Sequence, residues 1–177
     1  MTEKPDEDLV LAAKGGDVDS FVALCHRYYQ SLVAIARAVL GDGHLAEDAA
    51  QEALAKACRH LDGLKTPNRF GAWLATICRN EARDILRRRP NVESLGERDV
   101  PVETPAPDSE VDVVRRALDS MPPESRELLY LRYRNELSYE AIADLLDISV
   151  EAVHGRLRRA KQEVRTHLER ARDRRSS

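Results

Sequence analysis

The sequence predicts an all-α protein built as two small helical domains joined by a flexible acidic linker. Three observations predict it. Apolar residues recur at helical spacing through both halves of the chain. No stretch alternates apolar and polar residues between turn signals, as a half-buried strand does. The helical pattern fails around Pro90, Pro101, Pro105 and Pro107, where proline removes backbone donors and disfavours helix in the residue before it. The expected division is a first domain over 1–90, a linker over 91–109 and a second domain over 110–177.

Leu9, Ala12 and Ala13 open the first stripe. Phe21, Leu24, Tyr28, Leu32, Ile35, Ala36 and Val39 continue at i, i+3, i+4, i+7 spacing until Gly41-Asp42-Gly43 stops them. Leu45, Ala49, Ala53, Leu54 and Ala57 mark the next helix. Residues 62–68, with Gly63 and Pro67, read as a loop. A helix over 69–89 follows, carrying Phe70, Trp73, Leu74, Ile77, Ala82, Ile85 and Leu86. Trp73 shares a face with Phe70 and Ile77, so it is expected mainly in the core. Beyond the linker, Val114, Ala117, Leu118 and Met121 mark a helix stopped by Pro122-Pro123. A helix over 124–134 carries Leu128, Leu129, Leu131 and Tyr133. Two helices over 138–146 and 149–168 then form a helix-turn-helix.

The chain has 177 residues and a net charge of −3, with 28 Lys plus Arg against 31 Asp plus Glu. Its 42% hydrophobic content suffices for a core, so wholesale disorder is excluded. No run reaches the roughly 18 apolar residues of a membrane span, and the acidic N-terminus lacks a secretory h-region. Three widely spaced cysteines argue against a disulfide framework and suit the reducing cytoplasm, the expected location.

The charge is sharply partitioned. Between 91 and 109 only Arg98 opposes Glu93, Glu97, Asp99, Glu103 and Asp108. From 154 to 177 nine bases face three acids. Arg79, Arg83, Arg87, Arg88 and Arg89 close the first domain. Two separate basic helices in a mildly acidic protein point to two contacts with polyanions, against the plainer reading of solvated helix faces.

Geometry sharpens the second of these. Val153, Leu157, Ala160, Val164 and Leu168 fall on one narrow face at about 100° per residue, so that face is buried. Glu151, Gly155, Arg158, Arg159 and Gln162 then point outward, flanked by His154, Arg156 and Lys161. Ser138 and Ser149 can cap the two helices, and Ala143 is small enough for them to cross closely. A helix start with Gly155 and arginines one turn on suits a DNA major groove better than an ordinary packed hairpin does. The alternative function is a stand-alone helix-turn-helix regulator with a helical sensor domain.

The chain resembles the extracytoplasmic-function (group IV) sigma factors, small two-domain initiation subunits of RNA polymerase. The matching pieces in the first domain are Leu40-Gly41-Asp42, Ala46-Glu47-Asp48 with Gln51-Glu52, Phe70-x-x-Trp73-Leu74 and Arg79-Asn80-x-x-x-Asp84-x-x-Arg87-Arg88-Arg89. In the second they are Leu118-x-x-Met121-Pro122, Arg126-x-x-Leu129, Leu137-Ser138-Tyr139-Glu140-Ala141-Ile142-Ala143 and Ile148-Ser149-x-x-x-Val153-x-x-Arg156-Leu157-x-Arg159-Ala160-Lys161. Order and spacing together, over about 8–168, carry the resemblance.

The resemblance implies that the first domain binds the largest subunits of core RNA polymerase through Asp48, Gln51 and Glu52. It implies a base-capturing loop over 62–68 and a −10 promoter contact through Asn68, Arg79, Asn80, Arg83 and Arg87. The −35 contact falls to Ser138, Glu151, His154, Gly155, Arg156, Arg158 and Arg159. Promoter DNA and an anti-sigma factor are the further partners implied, with a stress- or signal-responsive set of genes. The pattern departs at Cys58, where the family often has an aromatic, and at Asp147, where the tight turn often has Gly. No catalytic residue, metal or cofactor is expected. Cys25-His26, Cys58-x-His60 and Cys78 lack the tight pairing of zinc ligands, and no phosphate loop, GxSxG or HExxH occurs.

Overall fold

The computed structural model describes residues 4–88 and 110–175. The expected linker, 91–109, lies outside the described residues. Among the described residues all regular structure is helical.

The first domain comprises α1 (Asp6–Lys14), α2 (Val18–Leu40), α3 (Gly43–His60) and α4 (Phe70–Arg88). Helices α2, α3 and α4 pack mutually around Leu24, Leu32, Ile35, Phe70, Leu74 and Cys78, all fully buried. On α3 the buried positions are Ala46, Ala49, Ala50, Ala53 and Ala57. Side chains this small let three helices meet closely with few large residues. Gly41 ends α2 in the left-handed region at φ 70°, and the Asp42 carboxylate accepts from the Leu45 amide at 3.0 Å to start α3. Trp73 lies half-buried against the core, its ring centroid 5.9 Å from that of Phe70.

The expected loop over 62–68 is more ordered than its composition suggests. It winds into two short 3-10 turns, Leu61–Gly63 and Pro67–Arg69, the second begun by the preset φ of Pro67. Lys14 ties this segment to α1, donating from Nζ to the Leu64 carbonyl at 2.6 Å and to that of Asp62 at 3.3 Å.

The second domain comprises α5 (Glu110–Ser120), α6 (Pro123–Leu129), α7 (Tyr139–Leu146) and α8 (Val150–Arg175). The expected helix over 124–134 changes pitch, continuing from α6 as a π-helical turn, Tyr130–Arg134. Leu128, Leu129 and Leu131 are all buried there, a set too broad for the narrow stripe of a regular helix. Ser138 and Ser149 cap α7 and α8 as expected, accepting from the Ala141 and Ala152 amides at 3.1 Å each. Between them Asp147 adopts the left-handed conformation, φ 56° and ψ 48°, that its turn demands.

The two domains touch: α6 and the π-helical turn lie on α2, and α7 lies on α4. At the centre of this contact Arg79 donates from Nε and Nη2 to Glu127 Oε1, at 3.0 and 2.8 Å. The side chains are only 19% and 9% exposed, so the pair is largely withdrawn from water. Burial raises the Glu127 carboxyl above its ordinary range, with the Arg79 charge opposing. At the edges the Arg37 guanidinium lies 6.0 Å over the Tyr130 ring, and Arg69 pairs with Asp147.

Two predictions follow from this packing. A Cβ placed on Gly71 meets Tyr28 ring atoms at 2.8 Å. That ring cannot swing aside freely, because its hydroxyl is bonded to Asp6 and its edge rests on Phe70. Gly71→Ala should therefore destabilise the first domain by about 1–3 kcal/mol, read as a lowered midpoint in urea or thermal unfolding. Glu127→Ala leaves the Arg79 guanidinium half-buried without its partner, a loss of about 3 kcal/mol that falls on the contact between domains. Small-angle scattering should show a larger radius of gyration for this variant, and an unchanged radius would refute the role of the pair.

Candidate nucleic-acid and polymerase interfaces

Of the α8 stripe read from the sequence, Val153, Leu157 and Ala160 are at most 1% exposed, whereas Val164 and Leu168 are only partly buried. Glu151, His154, Arg156, Arg158 and Arg159 are exposed and Gly155 partly so. Glu151, His154, Gly155 and Arg158 share an open cleft of about 640 Å³ with Tyr139 at the start of α7. Nothing lies within 4 Å of a Cβ built on Gly155, so the helix there is open to a bulky partner. A mid-helix glycine costs about 0.5–1 kcal/mol relative to alanine. Ser138 is committed to capping α7. The Glu140 carboxyl is held below the usual carboxylate range, chiefly by its own backbone N–H at the helix start, then by Ser138 and by His154. Lys161, a flank residue, is exposed and lines the same cleft, its ammonium 5.2 Å over the Tyr133 ring.

On α4 the expected −10 residues divide. Asn80, Arg83 and Arg87 are exposed, and with Thr76 they lie at i, i+4, i+7 and i+11, one continuous face. Thr76 escaped the sequence reading; its spacing from Asn80 was the available signal. Arg87 pairs with Asp84 one turn back and remains largely exposed. Asn68, exposed in the turn before α4, borders a second cavity of about 500 Å³ between the domains, whose walls include Tyr28, Arg69 and Leu145. Arg79 is turned away from this exposed face toward Glu127. Its partner is 48 positions distant, and no local pattern announces it.

On α3, Asp48, Gln51 and Glu52 are all exposed, one helical turn apart, on the side opposite the buried alanines. Glu52 makes an exposed pair with Arg59 at 2.9 Å, a contact weak enough to yield to a partner's arginine. Cys58 is an exposed thiol. Cys25 is half-buried with its thiol raised by burial, and Cys78 is buried with its thiol pushed up to about 12. Among the described residues no group of three or more His, Cys, Asp or Glu is placed to hold a metal ion. Among them no helix is long and apolar enough to cross a membrane.

Comparison with known proteins agrees with this geometry. The Sigma-70 region 2 family matches residues 24–91 and the Sigma-70 region 4 family residues 112–164. The probable RNA polymerase sigma factor RfaY of Xanthomonas campestris is 39% identical over 78% of this chain, which covers only 38% of that longer protein. The ECF RNA polymerase sigma-E factor of Escherichia coli is 31% identical over 90% of this chain and 92% of its own length. Among solved structures, the sigma factor RpoE of Bartonella quintana, in complex with the anti-sigma factor NepR, is similar with TM-score 0.60 and 25% identity, covering 86% of this chain and 98% of that one. The first domain thus matches a polymerase-factor module, which disfavours a stand-alone regulator with a sensor domain. With both regions present in order, and with identity sustained across nearly the whole of the Escherichia coli relative, the chain belongs to the ECF RNA polymerase sigma factors, which direct the polymerase to promoters.

Proposed function

We propose that the three exposed surfaces divide the work of promoter selection. Asp48, Gln51 and Glu52 on α3 dock on core RNA polymerase, where acidic and amide groups pair with basic side chains. Asn68, Asn80, Arg83 and Arg87 track a melted −10 strand, and Arg79 joins them once Glu127 releases it. The outward side of α8 reads the −35 element. Arg158 is placed for bidentate pairing with a guanine, Arg156 and Arg159 for phosphates, and Glu151 to accept from a cytosine amine. The polymerase supplies the chemistry of RNA synthesis, and this chain supplies position.

The observation that carries this reading is the exposed row at the start of α8, opposite a stripe at most 1% exposed. It presents an open cleft at Gly155 beside free arginine side chains. The domains act as two separate readers joined by the 91–109 segment. We further infer that an anti-sigma factor restrains the chain, as NepR is complexed with RpoE, and that release answers a stress signal.

Reconstitution with core polymerase tests the whole. Genome-wide mapping of transcript starts should reveal a shared upstream and downstream element, and the absence of any specific transcript would sink the reading. Arg158→Ala should lose about 1–3 kcal/mol of upstream-element recognition, measured as transcription from promoters mutated one base at a time. Arg159→Ala should weaken binding evenly across sequences and reduce its salt dependence by about one unit of slope.

A further inference from the structure

The start of the second domain's helix-turn-helix carries an aromatic stack that the division of roles above leaves unused. The rings of Tyr139 and His154 lie with centroids 4.0 Å apart and planes 4° from parallel. The Arg132 guanidinium carbon sits 5.3 Å from the Tyr139 ring centroid. Tyr139 is the first residue of α7, and its backbone is fixed by the Ser138 cap immediately before it. Arg132 is itself anchored, donating from Nη1 to the Leu137 carbonyl at 2.9 Å. His154, by contrast, is exposed on α8, stacked on this ring. Its imidazole borders the same cleft as Glu151, Gly155 and Arg158.

We propose that Tyr139 is a positioning residue for promoter reading: pinned by Arg132, its ring fixes the His154 imidazole edge in the α8 cleft, where His154 contacts one base of the upstream element. The proposal rests on the reading of α8 as the −35 reader. An exposed histidine on a free helix surface samples several rotamers, and ordering it on binding costs conformational entropy. Stacking on a ring already held in place removes that freedom in advance. The imidazole offers one donor and one acceptor when neutral and two donors when charged. In either state one ring N–H can donate to a purine acceptor on the major-groove edge, such as N7 or the O6 of guanine. The neighbouring charges include Glu140 on α7, Glu151, Arg158, Lys161 and Arg165 on α8, and Arg132 behind the tyrosine.

The test uses the full chain, alone and in reconstituted holoenzyme. In the free protein, the His154 ring protons should be shifted upfield by the tyrosine ring current. Tyr139→Leu should abolish the shift and Tyr139→Phe should keep it. In holoenzyme, transcription is measured on a promoter library randomised across the upstream element. His154→Ala and Tyr139→Leu should each lower the preference at the same single base position about tenfold, within the range one base contact carries. Tyr139→Phe should retain the preference, and adding Tyr139→Leu to His154→Ala should lower it no further. Arg158→Ala should act at a different position. If Tyr139→Leu lowers all positions evenly, tracking a loss of folded protein in thermal melts, the role is purely structural and the proposal falls. If Arg158→Ala changes a base preference while His154→Ala changes none, the proposal fails and α8 remains the reader. If neither changes any preference, both fail.

Discussion

The burial of Val153, Leu157 and Ala160 is the constraint on which the reading surface depends. Burying an aliphatic side chain of the Val or Leu kind contributes about 1.5–3 kcal/mol, and these residues occupy one stripe of α8. Rotating the helix by half a turn would expose them and bury Arg158 and Arg159. Each guanidinium would then lose its hydration with no carboxylate prepared for it, a cost of several kcal/mol per charge. The alternative orientation is therefore strongly excluded. The serine caps and the left-handed turn at Asp147 fix where α8 begins, and Gly155 leaves its outward side open. Sequence spacing thus becomes a presented surface through packing alone.

The same logic governs α4 with a different outcome. Phe70, Leu74, Cys78 and Ala82 are buried, which turns Thr76, Asn80, Arg83 and Arg87 outward. Arg79 falls between the two sides, where the second domain meets the first. Nε and Nη2 of its guanidinium are committed to the buried Glu127 carboxylate. Parting the domains would free Arg79, and loss of the pair would weaken their contact. Domain opening and release of Arg79 are thereby linked reciprocally.

Local rules made most of the architecture legible. The stop at Gly41-Asp42, the caps at Ser138 and Ser149, the left-handed turn at Asp147 and the inward side of Trp73 each follow from a residue and its near neighbours. The polar face of α8 was equally legible, because one buried stripe determines its opposite. What escaped depends on contacts between distant positions. Gly71 is required by the Tyr28 ring on another helix, and the turns over 61–69 are braced by Lys14 from α1. Arg79 reads as one more base in a basic run, yet it is claimed by Glu127 across the domain contact. The ring of Tyr139 looked like part of a motif, and only the fold brings it over His154. Periodicity reports which way a side chain points, not what meets it.

Distance then decides what the closed arrangement can do. Elements centred near −10 and −35 lie about 25 base pairs apart, or about 85 Å along a duplex at 3.4 Å per pair. Two domains held together at Arg79 and Glu127 cannot lie on both. Twenty-one residues separate Arg88 from Glu110. Fully extended, a segment of that length spans at most about 75 Å, and the breadth of the two domains supplies the remainder. Covalent reach therefore permits simultaneous contact only after the interface has parted. Once one domain is seated, the tether raises the effective concentration of the other near its own element, so two modest contacts combine into a selective one. On this geometry the Arg79–Glu127 pair holds the domains together, and the proposed contact with both elements at once requires that pair to break.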